Sequence, residues 1–399
     1  MYIPKEILIS EEVLNHPLTK HIVSTSPKAI HSIIKCDENI SDLELLANHS
    51  KLYNSGSSNT ERKKLCKDIL YLHSSKSQLA TMASGENQKK RCHNFLKITP
   101  YRASCIFNCE YCWFMEPDLV TRINVTYFDN LETLDKVIKQ SKPGIDTVFT
   151  FTHYKTDCLV LEHMTGYAKK TVDYFSNKEN AYVILLTKSN LVQPLLDLNH
   201  NQHTIVQWSM NNEEFIKLYE HGTASMISRL KAAKFVQEAG YPVTFRVDPI
   251  FATKGWKQHY SKMIEKIYEY IKPDHITFAV AKFQGPEEIK QIIANSYGHD
   301  SKLLNQELGK FEFAKANYSS DYLKSENSFP GTMPDMPFTY PDQLRYELLS
   351  HMIKTTRKYD FDLRIGVCEE SADMWGELGL PYSNNKNLDC ACNYTGFAT

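Results

Sequence analysis

Cys105-Ile-Phe-Asn-Cys109-Glu-Tyr-Cys112-Trp113 sets three thiols in a C-x3-C-x2-C run, with an aromatic residue just before the third. Cysteine thiolates are the ordinary ligands of iron–sulfur clusters. Three at this spacing can hold three irons of a 4Fe–4S cube. No fourth cysteine follows in the run, so one iron keeps an open position for a small ligand that carries both an amine and a carboxylate. Other readings of three close cysteines are weaker. Structural zinc normally takes a fourth ligand and paired spacings. Structural disulfides need an even number of partners and an oxidising compartment.

The 399 residues are 42% hydrophobic and 23% charged, enough to bury a large core in one domain or in a barrel with additions. The formal net charge of -1 announces no global basic field for nucleic acid. The short basic runs Glu61-Arg-Lys-Lys64 and Gln88-Lys-Lys-Arg91 read as solvated helix faces. Met1-Tyr-Ile-Pro-Lys-Glu6 lacks the charged-then-apolar pattern of a signal peptide, and no stretch approaches the length needed to span a membrane. Ten cysteines without a secretion signal read as reduced thiols and cluster ligands. The expectation is a cytoplasmic, oxygen-sensitive protein with no membrane partner.

Working outward from the cysteines, residues 1–92 read as a mostly helical cap, with Leu43, Leu45, Leu46 and Leu52 as a short apolar stripe and Asn54–Thr60 as a loop. From residue 93 the pattern changes. Strand candidates Asn94–Ile98, Thr147–Phe151, Tyr182–Thr187, Thr204–Trp208, Pro242–Val247, His275–Ala279 and Leu363–Val367 alternate with amphipathic helix candidates Leu131–Gln140, His163–Phe175, Met226–Ala239 and Lys257–Ile271. Such alternation implies a parallel sheet with βα crossovers. Six or so units make an α/β fold of the partial (β/α)6 barrel type. The cysteine loop follows the first of these strands, at the end of the barrel where active sites gather. Residues 93–282 form this barrel. Residues 283–341 read as an irregular insertion ending in the proline-rich connector Phe329–Pro341. Residues 342–399 supply the helix Asp342–Lys358, the last strand and a cysteine-bearing tail.

The methionine end of S-adenosylmethionine (SAM) is a ligand of the kind the open iron can chelate. In its C-x3-C-x2-C spacing the chain resembles the radical SAM enzymes. Further pieces narrow the likeness: Ile3–Glu6 with His16–Lys20, Leu186-Thr-Lys-Ser189, Gln207-Trp-Ser-Met-Asn211, Glu220-His-Gly-Thr223, Arg229 with Ala232-Ala233 and Ala239-Gly-Tyr-Pro242, and Phe245-Arg-Val-Asp-Pro-Ile-Phe251 with Gly255-Trp256. Together, in this order, they resemble the spore photoproduct lyase family, from about residue 93 to residue 260, with the opening Ile3–Glu6 and His16–Lys20 loosely similar too. The resemblance implies a 4Fe–4S cluster on Cys105, Cys109 and Cys112, SAM as cofactor, and a flavodoxin or ferredoxin as electron donor. It implies Thr156, Lys188 and Ser209 as SAM contacts, with Tyr111 retained beside them. Lys188 suits the SAM carboxylate as a compact cation. Taken without the family, Lys188 is an exposed strand-end lysine, and Ser209 and Thr156 are turn or cap hydroxyls.

Arg246 and Asp248 share one face of a strand. They are either a mutual ion pair or contacts to substrate and SAM. Members of the family tend to carry an uncharged residue where Asp248 stands, which hints at a polar substrate. Glu220-His-Gly-Thr223 precedes the helix of Arg229, which Thr223 or Ser225 can cap; a buried ion pair to Arg229 is one reading of Glu220.

Two departures stand out. A lyase of this family returns a hydrogen atom from a cysteine shortly after the second barrel strand; aligning Thr156-Asp157 puts Tyr154 there, with Cys158 the nearest thiol. Trp113 replaces the family's tyrosine after the third cysteine. The tail is the second departure, with Cys368 in Val367-Cys368-Glu-Glu370, then Cys390 and Cys392. These three read as ligands of a second iron–sulfur cluster, with a mononuclear metal, a redox pair or a hydrogen-donating thiol as alternatives. Cys36, Cys66 and Cys92 read as buried thiols. The expectation is an enzyme whose adenosyl radical abstracts hydrogen from a small-molecule or peptide substrate near Tyr154, Arg246 and Asp248, in a biosynthetic step. The alternatives are repair of a DNA base lesion and a non-catalytic iron–sulfur redox protein.

Overall fold

The computed structural model describes residues 2–35, 40–75, 80–82, 95–103, 105–112, 119–129, 131–140, 147–151, 156–283, 314–315, 338–368 and 370–381. Tyr154, Trp113, Cys36, Cys92, Cys390, Cys392 and most of the 283–341 segment lie outside these residues. The chain forms two compact units: Met1–Thr81 with Leu96–Asn108 and Phe114–Thr204, and Met82–Phe95 with Cys109–Trp113 and Ile205–Thr399.

In the first unit, strands β1 (Glu6–Ser10), β2 (Ile30–Ile34), β3 (Ile69–His73), β5 (Tyr101–Ala103) and β6 (Thr121–Asn124) make one sheet in the order β2-β1-β3-β6-β5. All its pairings are parallel except β5 on β6. Helices α1 (Pro17–Thr25), α2 (Asp42–His49), α3 (Lys51–Asn54) and α4 (Asn59–Cys66) fill the connections. The N-terminal segment therefore holds helices, as expected, and in addition, among the described residues, four strands, the fourth being the short Ala80–Met82. Glu-Ile-Leu-Ile-Ser and Ile-Leu-Tyr-Leu-His are buried at all five positions. Short runs apolar on both faces carry no alternation, so periodicity alone cannot tell such a strand from a buried helix. Pairing of β3 with β6 ties this segment to residues beyond 93, so the boundary expected at 92 does not coincide with a structural one. Leu8, Leu45, Leu46, Cys66, Ile69 and Tyr71 form one apolar core. Beside it the carboxylate of Glu6, wholly buried, accepts from Lys51 N and Leu52 N, each at 3.0 Å, and so satisfies the open first turn of α3.

The same unit carries βα alternation: β4 (Phe95–Ile98), α5 (Glu132–Gln140), β7 (Thr147–Phe151), α6 (Glu162–Thr165), α7 (Tyr167–Phe175) and β8 (Ala181–Thr187), with β7 and β8 paired in parallel. The single helix expected over 163–175 is two. Gly166 at φ 61° closes α6 in the left-handed conformation that a helix interior cannot hold.

The second unit continues the alternation: β9 (Thr204–Met210), α8 (Glu213–Tyr219), α9 (Met226–Glu238), β10 (Val243–Ile250), α10 (Trp256–Tyr270), β11 (His275–Val280), α11 (Asp342–Arg357), β12 (Arg364–Val367) and α12 (Ala372–Glu377). Its strands run β12-β11-β10-β9, every pairing parallel. Parallel strands must be covered on both faces, and β9 and β11 are accordingly buried at every position. Asn212 and Ser225 cap α8 and α9, accepting from Phe215 N and Ser228 N. Among the described residues, no helix is long and apolar enough to cross a membrane.

Candidate active site

The cysteine loop is closed by a turn in which Cys112 N donates to Cys109 O at 3.0 Å. None of the described cysteines is in a disulfide, and Cys109 is buried while Cys105 and Cys112 are half-buried. Three thiols on one loop, none of them in a disulfide, are a donor set that fits a cluster with three protein ligands. Among the described residues, no three His, Cys, Asp or Glu side chains are already gathered as a finished metal site.

In the second unit, the two residues between Cys109 and Cys112 are each anchored on the end of α8 and the two residues that follow it. Glu110 N donates to Tyr219 O at 2.9 Å, and the Glu110 carboxylate meets His221 Nε2 at 2.7 Å. The Tyr111 hydroxyl donates to Glu220 Oε1. Its ring packs on Phe215 and Phe251, with centroids 5.3 and 5.9 Å away. Burial, and then the Glu220 charge, push the Tyr111 hydroxyl well above its ordinary pKa, so it remains a donor. The other Glu220 oxygen pairs with Arg229 Nη2, and both side chains have no exposed surface. Arg229 also donates to Ser209 O and Ala224 O, both at 2.9 Å, and to Thr223 Oγ1 at 2.7 Å. The loop before α9 is thus capped by Ser225, with Thr223 serving the guanidinium instead. Ser209 itself lies buried near the end of β9.

In the first unit, Thr156 is buried beyond the end of β7, and Lys188 immediately follows β8, half-buried. One carboxylate connects them. Asp157 accepts from Leu159 N and Val160 N, each at 3.0 Å, from Thr187 Oγ1 at 2.9 Å and from Lys188 N at 2.6 Å. Burial raises the Asp157 pKa, and these four donors oppose the rise. Sequence reading used Asp157 only to align the chain. Its signal was an acid directly before the apolar run Cys158–Leu161. Cys158 is fully buried, and burial with Asp157 and Glu162 nearby pushes its thiol well up, the setting of an inert core thiol.

Arg246 and Asp248 near the end of β10 form an ion pair, Nε to Oδ2 at 2.7 Å. Arg246 Nη2 also lies 3.1 Å from Cys368 Sγ, just past β12. Around Cys368, Lys282 Nζ donates to its carbonyl at 2.7 Å and pairs with Glu370 at 3.3 Å, and Glu370 in turn pairs with the buried Arg345. Sequence reading did not single out Lys282, Arg345 or Glu370; they are far apart in the chain, and only the fold brings them together.

A sequence model of the family described as spore photoproduct lyase matches residues 2–328. A spore photoproduct lyase of Clostridium acetobutylicum is 29% identical over 224 residues, covering 55% of this chain and 66% of that protein. One of Bacillus subtilis is 28% identical over 228 residues, covering 54% and 64%. The aligned part thus spans just under two thirds of these relatives. A solved structure of a spore photoproduct lyase double mutant with bound AdoMet and dinucleoside spore photoproduct matches 92% of this chain and 98% of that one, at TM-score 0.70 and 19% identity. At that identity the likeness establishes the fold, an α/β arrangement of the parallel βα units described above. With a family match over residues 2–328, well beyond half its length, the chain belongs to the spore photoproduct lyase family.

Proposed function

We propose that this chain is a radical SAM lyase that reverses a photochemical pyrimidine lesion in DNA. The observation that carries this reading is the extent of the family match, residues 2–328, a range that includes the cysteine loop, Lys188, Ser209 and Arg246. It favours the DNA-lesion alternative over the small-molecule or peptide substrate suggested by charge and by the altered donor position.

Cys105, Cys109 and Cys112 would hold the 4Fe–4S cluster. Bound there, cluster and SAM supply the one-electron cleavage that yields a 5′-deoxyadenosyl radical able to take hydrogen from the substrate. Lys188 would pair with the SAM carboxylate, and Thr156 and Ser209 would hydrogen-bond its amine and its carboxylate or ribose. Tyr111, donating to Glu220, would wall the site with its ring. Arg246 and Asp248 would meet the substrate, with Tyr154 at the hydrogen-return position. A lesion in duplex DNA must be turned out of the stack, and its binding would weaken steeply with salt. A flavodoxin or ferredoxin would deliver the electron. Cys368, Cys390 and Cys392 would hold a second cluster.

The test is anaerobic incubation of reconstituted protein with SAM, a reductant and an oligonucleotide bearing spore photoproduct. Restored thymines together with 5′-deoxyadenosine support the reading. 5′-Deoxyadenosine with the lesion intact returns the substrate to the small-molecule or peptide class, which the near-neutral charge and Tyr154 at the donor position favour. Absence of 5′-deoxyadenosine in every condition would leave only the non-catalytic iron–sulfur reading.

A further inference from the structure

We propose that Glu220 and Arg229 are positioning residues for the cysteine loop, acting through Tyr111. This rests on reading that loop as the seat of the SAM-cleaving cluster. Tyr111 stands between two thiols, is buried, and donates its hydroxyl to Glu220 Oε1. A carboxylate with no exposed surface needs a counter-charge, and Arg229, equally enclosed, provides it through the other oxygen. Arg229 then has donors left over. They go to Ala224 O, Thr223 Oγ1 and Ser209 O. One guanidinium therefore connects, through a single carboxylate, the loop of Cys109 and Cys112 with the strand end that presents Ser209.

The direction of this chain of bonds matters. A pair that served only to hold α9 would not need the tyrosine of the cysteine loop. Here the loop's own residue is a member of the network. The second anchor, Glu110 with His221, lies at a wetter place, His221 being 45% exposed, and leaves the inner bond to set the loop's orientation. Ligand-bearing loops fixed by such outer bonds lose about 10–100-fold in metal affinity or activity when those bonds are removed.

Tyr111→Phe is the decisive variant, because it removes one hydroxyl and leaves the Glu220–Arg229 pair whole. Glu220→Gln is the companion: it keeps an acceptor for Tyr111 and takes away the partner of Arg229. Wild type and variants are reconstituted anaerobically as full chains. Iron and sulfide are counted, iron transfer to a chelator is timed, and the reduced cluster's paramagnetic resonance spectrum is recorded with and without SAM.

The expected result is a Tyr111→Phe protein that loads as much iron as wild type. It yields that iron to chelator about tenfold faster, and its spectrum responds to SAM in a much smaller fraction of molecules. A Glu220→Gln protein that folds should behave in the same way; if it does not fold, Tyr111→Phe decides alone. Equal chelation rates and equal SAM responses in wild type and Tyr111→Phe overturn this inference and leave the functional reading intact. A wild-type chain that takes up no iron overturns that reading and this inference with it.

Discussion

Arg246 reaches past an intervening strand to Cys368, placing Nη2 3.1 Å from Sγ. Arg246 is level with Thr277 on β11, and Thr277 is level with Gly366 on β12. Two strand spacings amount to about 10 Å, a gap that only a long side chain on the shared face closes. The ends of β10 and β12 are therefore joined by chemistry as well as by the sheet. With Cys368 in this place, replacing Cys368, Cys390 and Cys392 together by alanine should lower the iron content of reconstituted protein by about four, one cube's worth. Iron and sulfide analysis checks this, and an unchanged count removes the second cluster.

The Arg246–Asp248 pair should resist the conservative exchange. Arg246→Lys keeps the charge but loses the fork that serves Asp248 and Cys368 together. Turnover of lesion-bearing DNA is expected to fall at least tenfold in Arg246→Lys and further in Arg246→Ala, while urea denaturation costs no more than about 1–3 kcal/mol. Equal turnover in Arg246→Lys and wild type would remove the geometric requirement.

Asp157 gathers four donors from two stretches of chain. Asp157→Ala leaves them without an acceptor in a buried place and should cost about 3 kcal/mol or more. SAM affinity should fall about tenfold as Thr156 and Lys188 lose their common anchor, with Asp157→Asn in between. Calorimetric titration of SAM into reconstituted protein measures it.

Glu162 supplies a pH signature. It accepts from Ala168 N at 2.6 Å and Lys169 N at 2.9 Å at the start of α7, and burial raises its pKa to about 7. The folded form therefore binds this proton more tightly than the unfolded chain does. The stabilisation is complete below the ordinary glutamate range and is lost as pH rises through about 7. Between about pH 4.5 and 7 the change amounts to about 3 kcal/mol. Glu162→Gln should flatten this slope relative to wild type in urea unfolding at a series of pH values.

The barrel units were legible because each strand is an apolar run bounded by turn residues and each helix has one apolar face. Thr147–Phe151 was read to the residue. The strands of the N-terminal segment were not legible as such, because Glu6–Ser10 and Ile69–His73 bury both faces. In the site, the three cysteines and the Glu220–Arg229 pair could be read locally, the latter because nine residues of loop and helix separate its members. Tyr111 with Glu220, 109 residues apart, and Arg246 with Cys368, 122 apart, could not. No local pattern says which side chains meet after two or more crossovers.

Strand β1 leaves the ribosome long before its neighbour β3, since Glu6 is level with Ile69. For about 60 residues of synthesis a strand with Ile7, Leu8 and Ile9 at its centre has one partner strand at most, and the far side of its backbone is open to any other nascent chain. Cells making this protein quickly, at high ribosome density, are where such mispairing would surface. Slower translation or a holding chaperone should raise the yield of native molecules more than any change to the mature surface.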